Sequence, residues 1–321
     1  MNITPIENKV FGAVVTNVKL ANLNDNELTV IKTTFLKHGL LLFPAQFLSV
    51  QENISFGERF GELEFGGIPM ANQEKNKDGT YGRIFELETQ RMRTNVGNEA
   101  WHTDSSYKPA SSKCAMLSAI TVPDEGGGTE FVDTRAAYAA LDQATKDRIN
   151  TLSAYHSTQY SQANDVGDFP VQTEASIYHG EAYLRPLVKT HPETGIKSLF
   201  IGRHAFGIPG LSREESRKLL KSLLDFVLSD KSRIYRHKWQ AGDTLFWDNR
   251  CLLHCAMPYD YSKARVLTAT RVAGDPESEL AYHPSDPAAQ AGRDALAAEL
   301  ELLKEETVDR MFGATTTTST E

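Results

Sequence analysis

Two stretches restrict how this chain can fold more than any others do: Trp101-His102-Thr103-Asp104, and a distant His254 at the end of Trp247-Asp248-Asn249-Arg250-Cys251-Leu252-Leu253-His254. Two imidazoles and one carboxylate can occupy one face of an iron(II) octahedron and leave positions open for a co-substrate and oxygen. Residues two apart on a strand project from the same face, so the spacing predicts His102 and Asp104 side by side on a β-strand. His254 must then arrive from a strand remote in sequence. A His-x-Asp pair alone is common on surfaces and in hydrogen-bonded cores, so the flanks decide. Strand-like residues run from Cys114 to Val122, a turn follows at Pro123-Asp124-Glu125-Gly126-Gly127-Gly128, and Thr129 to Asp133 reads as the next strand.

Five ordered blocks resemble the iron(II)- and 2-oxoglutarate-dependent dioxygenases that include taurine dioxygenase and 2,4-dichlorophenoxyacetate dioxygenase. They are Trp-His-Thr-Asp-Ser-Ser at 101–106, Gly-Gly-Gly-Thr-Glu-Phe at 126–131, Asp-Thr-Arg-Ala-Ala-Tyr at 133–138, Lys-Ser-Leu-Phe-Ile-Gly at 197–202 and Gly-Asp-Thr-Leu-Phe-Trp-Asp-Asn-Arg-Cys-Leu-Leu-His at 242–254. The likeness covers about residues 5–275 and is stronger to the dichlorophenoxyacetate branch, in the run from Ser118 to Tyr138. It implies that His102, Asp104 and His254 are catalytic and bind Fe(II), with 2-oxoglutarate and O2 as co-substrates. It also implies that Arg265, eleven residues after His254, anchors the far carboxylate of 2-oxoglutarate, and that Thr129 hydrogen-bonds the same group. A guanidinium suits that task because its planar fork makes two parallel charge-assisted bonds. Against these stand a solvated surface arginine and a plain strand threonine.

The implied reaction hydroxylates, or otherwise oxidises, a small organic molecule, with anions among the candidates, and releases succinate and CO2. A hydroxyl placed on a carbon that bears oxygen, nitrogen or sulfur makes the product fall apart. Halogenating relatives replace the carboxylate by a small residue, so Asp104 favours hydroxylation. Desaturation or ring closure at the same site, and a non-catalytic jelly-roll protein that binds a metal or ligand, are the alternatives.

Substrate contacts are less determined. Taurine-oxidising relatives carry a second arginine fifteen residues after the distal histidine, where this chain has Ala269. Arg271 shares a strand face with Arg265 and reads equally as a displaced anion anchor or as a structural arginine at the strand end. Asn98 matches a substrate-contacting asparagine of taurine dioxygenase. Met70, Phe65 and Tyr107 read as pocket walls or as ordinary core. The polar run 86–99 reads as a mobile loop that closes over the substrate, with Arg91 and Arg93 as cations, or as a solvated connector.

The expected fold is mainly β with flanking helices, a double-stranded β-helix (jelly roll, cupin-like). Residues 1–275 form one catalytic domain, and 276–321 a C-terminal helical extension with a disordered tail at 315–321. Periodicity and caps predict a strand over 10–18, helices over 26–37, 49–60 and 212–229, one helical crossover between Asp133 and Ser153, and a helix over 287–309 with Leu296, Leu300, Leu303 and Val308 on its apolar side. That helix is expected on the barrel or on a second subunit. Residues 154–186 read as irregular, with Tyr155, His156, Tyr160 and His179 as groups near the site or on the surface. A net charge of −8 gives no electrostatic footprint for nucleic acid. No run is long and apolar enough for a membrane span, and the N-terminus lacks a signal sequence. Cys114, Cys251 and Cys255 show no zinc-like pairing. A cytoplasmic homo-oligomer acting on a small molecule is the expectation.

Overall fold

Apolar strands remote in sequence assemble the largest of the five sheets among the described residues. The computed structural model describes residues 1–169, 182–282 and 287–312, with side chains in the last segment for 290–307. These residues are mainly β with several helices. The larger sheet has seven strands, in the order Asn2–Pro5, Ala13–Thr16, Leu40–Phe43, Thr244–Asp248, Cys114–Thr121, Val266–Val272 and Leu63–Ala71. Its neighbours are antiparallel, apart from the parallel pair Ala13–Thr16 with Leu40–Phe43. Leu40–Phe43 is buried on both faces, which is why it reads as an unbroken apolar run. A smaller sheet sets Thr129–Asp133 between Ile234–His237 and Leu252–Ala256.

Helices Asp25–His38 and Val50–Glu58 cover the larger sheet, and each opens on a capping box, Asn24 with Glu27 and Ser49 with Glu52. The first ends at Gly39, whose φ of 71° is left-handed and whose missing side chain leaves room for the Arg135 guanidinium 2.9 Å from where a Cβ would stand. Phe35, Phe56, Phe60 and Phe246 pack between helices and sheet, with Phe246 stacked 4.4 Å from Phe35. Helix Arg213–Leu228, capped by Ser212 as its sequence predicts, buries Leu219, Leu223 and Val227 against Val132 and Ala137.

Several expectations change. The crossover is two helices, Thr134–Ala140 and Gln143–Ile149, because the Asp142 side chain caps the second at Thr145 and starts it afresh. The strand at 10–18 shortens to Ala13–Thr16, and the exposed Asn2–Pro5, without a buried pattern to reveal it, pairs with it. The stretch read as irregular from 154 holds strand Ser153–His156, helix Thr158–Val166 and strand Tyr183–Pro186. Helix Pro287–Phe312 packs Leu296 and Leu303 against Tyr160, Ala163 and Phe206 of the same chain, and Arg213 pairs with Glu299 at 2.8 Å. His179, the Val308 side chain and 315–321 lie outside the described residues. No described helix is long and apolar enough to cross a membrane.

Phe246 is fully buried at the centre of the aromatic cluster. Phe246→Ala is expected to destabilise the fold by about 3–5 kcal/mol, read as a lowered midpoint in urea unfolding.

Candidate active site

His254 lies mid-strand in Leu252–Ala256, opposite Phe131. His102 reaches it through one antiparallel bridge: the His102 amide donates to the His254 carbonyl at 2.9 Å, and the His254 amide returns the bond at 2.8 Å. Directly opposed residues share a face of the sheet, so the two imidazoles lie with ring centroids 4.2 Å apart. The strand expected to carry both His102 and Asp104 is not formed. Only His102 has a β partner, and Asp104 enters a turn whose next residue, Ser105, has a left-handed φ of 57°. The turn is tied down from the other stretch. Thr103 Oγ1 donates to the Asn249 carbonyl at 2.6 Å, Asn249 Nδ2 donates to Ser112 Oγ at 2.7 Å, and Ser112 Oγ donates to the Asp104 carbonyl at 3.2 Å.

One ligand atom from each of His102, Asp104 and His254 comes within 4.8 Å of the others, and all three residues are buried. Asp104 Oδ2 is buried with no hydrogen-bond partner and sits 3.8 Å from His254 Nε2. His102 Nδ1 lies 2.8 Å from the Ala100 carbonyl, which assigns the proton there and leaves Nε2 with its lone pair. Burial, then the His254 ring beside it, pushes the His102 pKa well down; burial also lowers His254, with Arg271 adding to the effect. Both rings are therefore neutral, as metal ligation requires. Burial works against the Asp104 anion, yet the Arg271 cation beside it holds its pKa below the usual carboxylate value. Two neutral imidazoles facing an unpaired buried carboxylate oxygen fit a divalent cation.

A cavity of about 870 Å³, its mouth included, opens from this triad, with Thr129 and Arg265 on its wall. Arg265 Nε donates to the Gly127 carbonyl at 2.8 Å, and among the described residues no carboxylate pairs with its guanidinium. Gly127, at a φ of 63°, leaves Arg265 Cδ 3.2 Å from where a Cβ would stand, so the arginine lies across bare backbone. Thr129 Oγ1 accepts from Trp239 Nε1 at 3.0 Å, which leaves its proton free to donate into the cavity. Met70, Asn98 and Phe65 also line this cavity.

A second, more polar chamber of about 430 Å³ lies on the other side of His102 and Asp104, lined by Tyr107, Thr158, Ser161, Arg203 and His204 together with Asn98. His204 Nδ1 pairs with Ser161 Oγ at 2.9 Å, while Thr158 Oγ1 is buried without a partner. Arg203 is ion-paired to Asp165 at 2.8 Å. Sequence reading missed Thr158, Ser161, Arg203, His204, Asn249 and Trp239. The 197–202 block stops one residue short of Arg203-His204, and Asn249 sits inside the 242–254 block with nothing to mark its task.

Arg271 lines both spaces, with Nη2 2.5 Å from Asp104 Oδ1. The run read as a mobile loop is instead helix Gln90–Gly97, capped by Thr89 and pinned by fully buried Met92. Arg91 donates to the Ala71 and Pro69 carbonyls, and Arg93 pairs with Asp168.

The sequence pattern of the family described as "Taurine catabolism dioxygenase TauD, TfdA family" matches residues 2–271. A (S)-phenoxypropionate/alpha-ketoglutarate-dioxygenase of Sphingobium herbicidovorans is 46% identical over 288 residues, 87% of this chain and 97% of its own. The alpha-ketoglutarate-dependent 2,4-dichlorophenoxyacetate dioxygenase of Cupriavidus pinatubonensis is 34% identical over 280 residues, 80% of this chain and 93% of its own. Among solved structures, AAD-2 in complex with Mn(II) and N-oxalylglycine superposes with a TM-score of 0.80 at 31% identity, covering 88% of this chain and 100% of that one.

Asp104→Ala and His254→Ala are each expected to weaken Mn(II) binding by roughly 10-fold or more, since loss of a direct donor exceeds the loss of an outer partner. Equilibrium titration of metal-stripped protein checks this, with circular dichroism showing that the variants fold.

Proposed function

The chain belongs to the taurine catabolism dioxygenase TauD, TfdA family, and from that premise we propose that it oxidises a small carboxylic acid at a carbon bearing an ether oxygen. It is an oxidoreductase that depends on Fe(II) and 2-oxoglutarate, oxidises a small organic substrate with O2, and releases succinate and CO2. The observation that carries the assignment of roles is the half-buried Arg265 cation, which pairs with no carboxylate among the described residues, in a cavity that ends at His102, Asp104 and His254. In this reading the triad holds the iron, which when bound activates oxygen for removal of a substrate hydrogen. Arg265 receives the far carboxylate of 2-oxoglutarate with its fork, and Thr129 donates its proton to the same group.

The polar chamber is the natural seat for the acidic end of the substrate. Its Thr158 hydroxyl lacks a protein partner, and Tyr107, His204 and Arg203, the last held by Asp165, line the same space. That placement directs the carbon next to the carboxylate at the metal and leaves the aryl or alkyl group toward the apolar wall of Phe65 and Met70. Replacing C–H by C–OH at an ether carbon gives a hemiketal or hemiacetal. It collapses to a phenol or alcohol and a 2-oxo acid, with the hydroxyl proton ending on the departing oxygen. The names of the relatives support this class: phenoxypropionate and dichlorophenoxyacetate are both ether acids. We further take the two sheets as the halves of a double-stranded β-helix with the site between them, and 1–275 as the catalytic domain to which the C-terminal helix is appended.

A panel of aryloxy acids, sulfonates, amino acids and uncharged metabolites, scored by oxygen uptake and succinate, is expected to single out 2-aryloxy acids, with phenol and 2-oxo acid in equal amounts. Turnover confined to sulfonates or amino acids removes the proposal. Arg265→Ala is expected to raise the KM for 2-oxoglutarate roughly 10- to 100-fold, the worth of lost charge-assisted bonds, with less change in kcat.

A further inference from the structure

Arg271 stands where a substrate anchor would be sought, on the wall of both spaces, yet its charge is already matched. Its Nη2 donates to Asp104 Oδ1 at 2.5 Å and its Nη1 to Ser105 Oγ at 3.1 Å, with Glu64 Oε1 3.5 Å from Nη1. Ser105 Oγ in turn contacts both Glu64 oxygens at 2.9 and 2.7 Å, and Lys108 Nζ pairs with Glu64 at 2.5 Å. The guanidinium lies over the Phe65 ring, 4.7 Å from its centroid. Two cations, Arg271 and Lys108, thus meet two anions, Asp104 and Glu64. Of the guanidinium only Nε lacks a partner, so a substrate carboxylate on Arg271 would have to share the group with a metal ligand. Arg265 has no such competitor.

We propose that Arg271 is a positioning residue for the metal-binding carboxylate and not an anchor for the organic acid, an inference that rests on the metal site assigned above. Ordinary strand alternation sends Arg271 to the cavity face with Arg265, Leu267 and Ala269, in regular register with Ala115. The neighbouring strand is the irregular one: Leu63–Ala71 carries extra residues between Ile68 and Phe65 and between Phe65 and Leu63 where it pairs with Ala269, Arg271 and Val272. Bulges there re-aim that strand's own side chains, and Glu64 and Phe65 come to meet the guanidinium. With Oδ1 taken by the guanidinium, Oδ2 is the oxygen left open toward His254, so Asp104 offers one donor atom and not two. A one-oxygen carboxylate keeps further metal positions free for the chelating co-substrate and oxygen. Glu64 and Ser105 hold the guanidinium from behind, and Ser105 accepts a left-handed backbone to be there. A lysine carries the charge but lacks the fork needed to reach Asp104 and Ser105 at once.

The test is Mn(II) titration of metal-stripped Arg271→Lys, Arg271→Gln and Glu64→Gln proteins, followed by KM for the organic acid at saturating metal. Weakening of metal affinity by roughly 10- to 100-fold in both Arg271 variants, and by less in Glu64→Gln, is expected, as for other outer partners of metal ligands. KM for the acid should stay within about threefold of wild type. Unchanged metal affinity in Arg271→Lys and Arg271→Gln overturns the proposal, as does a tenfold or larger rise in acid KM at saturating metal. If Arg271→Gln fails to fold, Arg271→Lys carries the test alone. Asp104→Ala serves as the control: unaltered metal binding there would instead defeat the metal-site assignment itself.

Discussion

The reciprocal backbone bonds between His102 and His254 are the constraint on which the site depends. They make a one-residue register decision carry chemical weight, because slipping either segment by one position would turn an imidazole to the opposite face. Everything near them reinforces that register. Trp247 and Phe131 pack against the His254 ring, with centroids 4.8 and 5.9 Å away. Asn249 and Thr103 lock the two stretches to each other just beyond the bridge. The third donor then needs no strand of its own; it needs a turn that starts in a fixed place.

Buried charge is distributed by one recurring device. Asp133-Thr134-Arg135 and Asp248-Asn249-Arg250 each fold an arginine back on the aspartate two residues earlier, with Nε and Nη2 both donating to it. Both pairs sit beside the start of the Leu252–Ala256 strand, and the Asp248 amide also donates to the Gly39 carbonyl at 2.9 Å. Such pairs contribute little net stability after desolvation, but leaving one partner alone is costly, so they discriminate against misassembled alternatives. Arg265 departs from this device. Among the described residues no carboxylate pairs with it, and unlike Arg185, whose guanidinium is taken up by the backbone carbonyls of Ser106, Lys108, Pro109 and Glu279, it spends only its Nε on the Gly127 carbonyl, which leaves its fork open to a ligand.

His102, Asp104, His254, Thr129 and Arg265 were legible as candidates because each sits on or beside a strand whose pattern is strong, and because five ordered blocks carried the resemblance; the structure brings all five to one cavity. Asp104 was found for a reason that does not hold: the same-face rule applies to regular strands, and here a turn delivers the carboxylate. The polar chamber was not legible. Thr158 and Ser161 come from a helix whose buried face is Thr, Tyr, Ser, Gln and Ala, with too little apolar contrast to announce a period. Helix Gln90–Gly97 hid for the same reason, since Met92 is its only large apolar buried residue. Arg271 was placed on the correct wall, but no linear pattern could reveal that Glu64 and Asp104 had claimed it.

The helix Pro287–Phe312 has a place in this design that its position in the chain conceals. It lies outside the stretch matched by the family pattern, which stops at residue 271. Yet its Leu296 and Leu303 support Tyr160 and Ala163, and so brace the helix that offers Thr158 and Ser161 to the polar chamber. On the reading proposed above, in which the polar chamber seats the acid, metal binding and substrate choice rest on different parts of the polypeptide. A substitution in the terminal helix would then reshape what is admitted while the oxidising centre stays untouched, a division of labour that would let one scaffold diversify its diet.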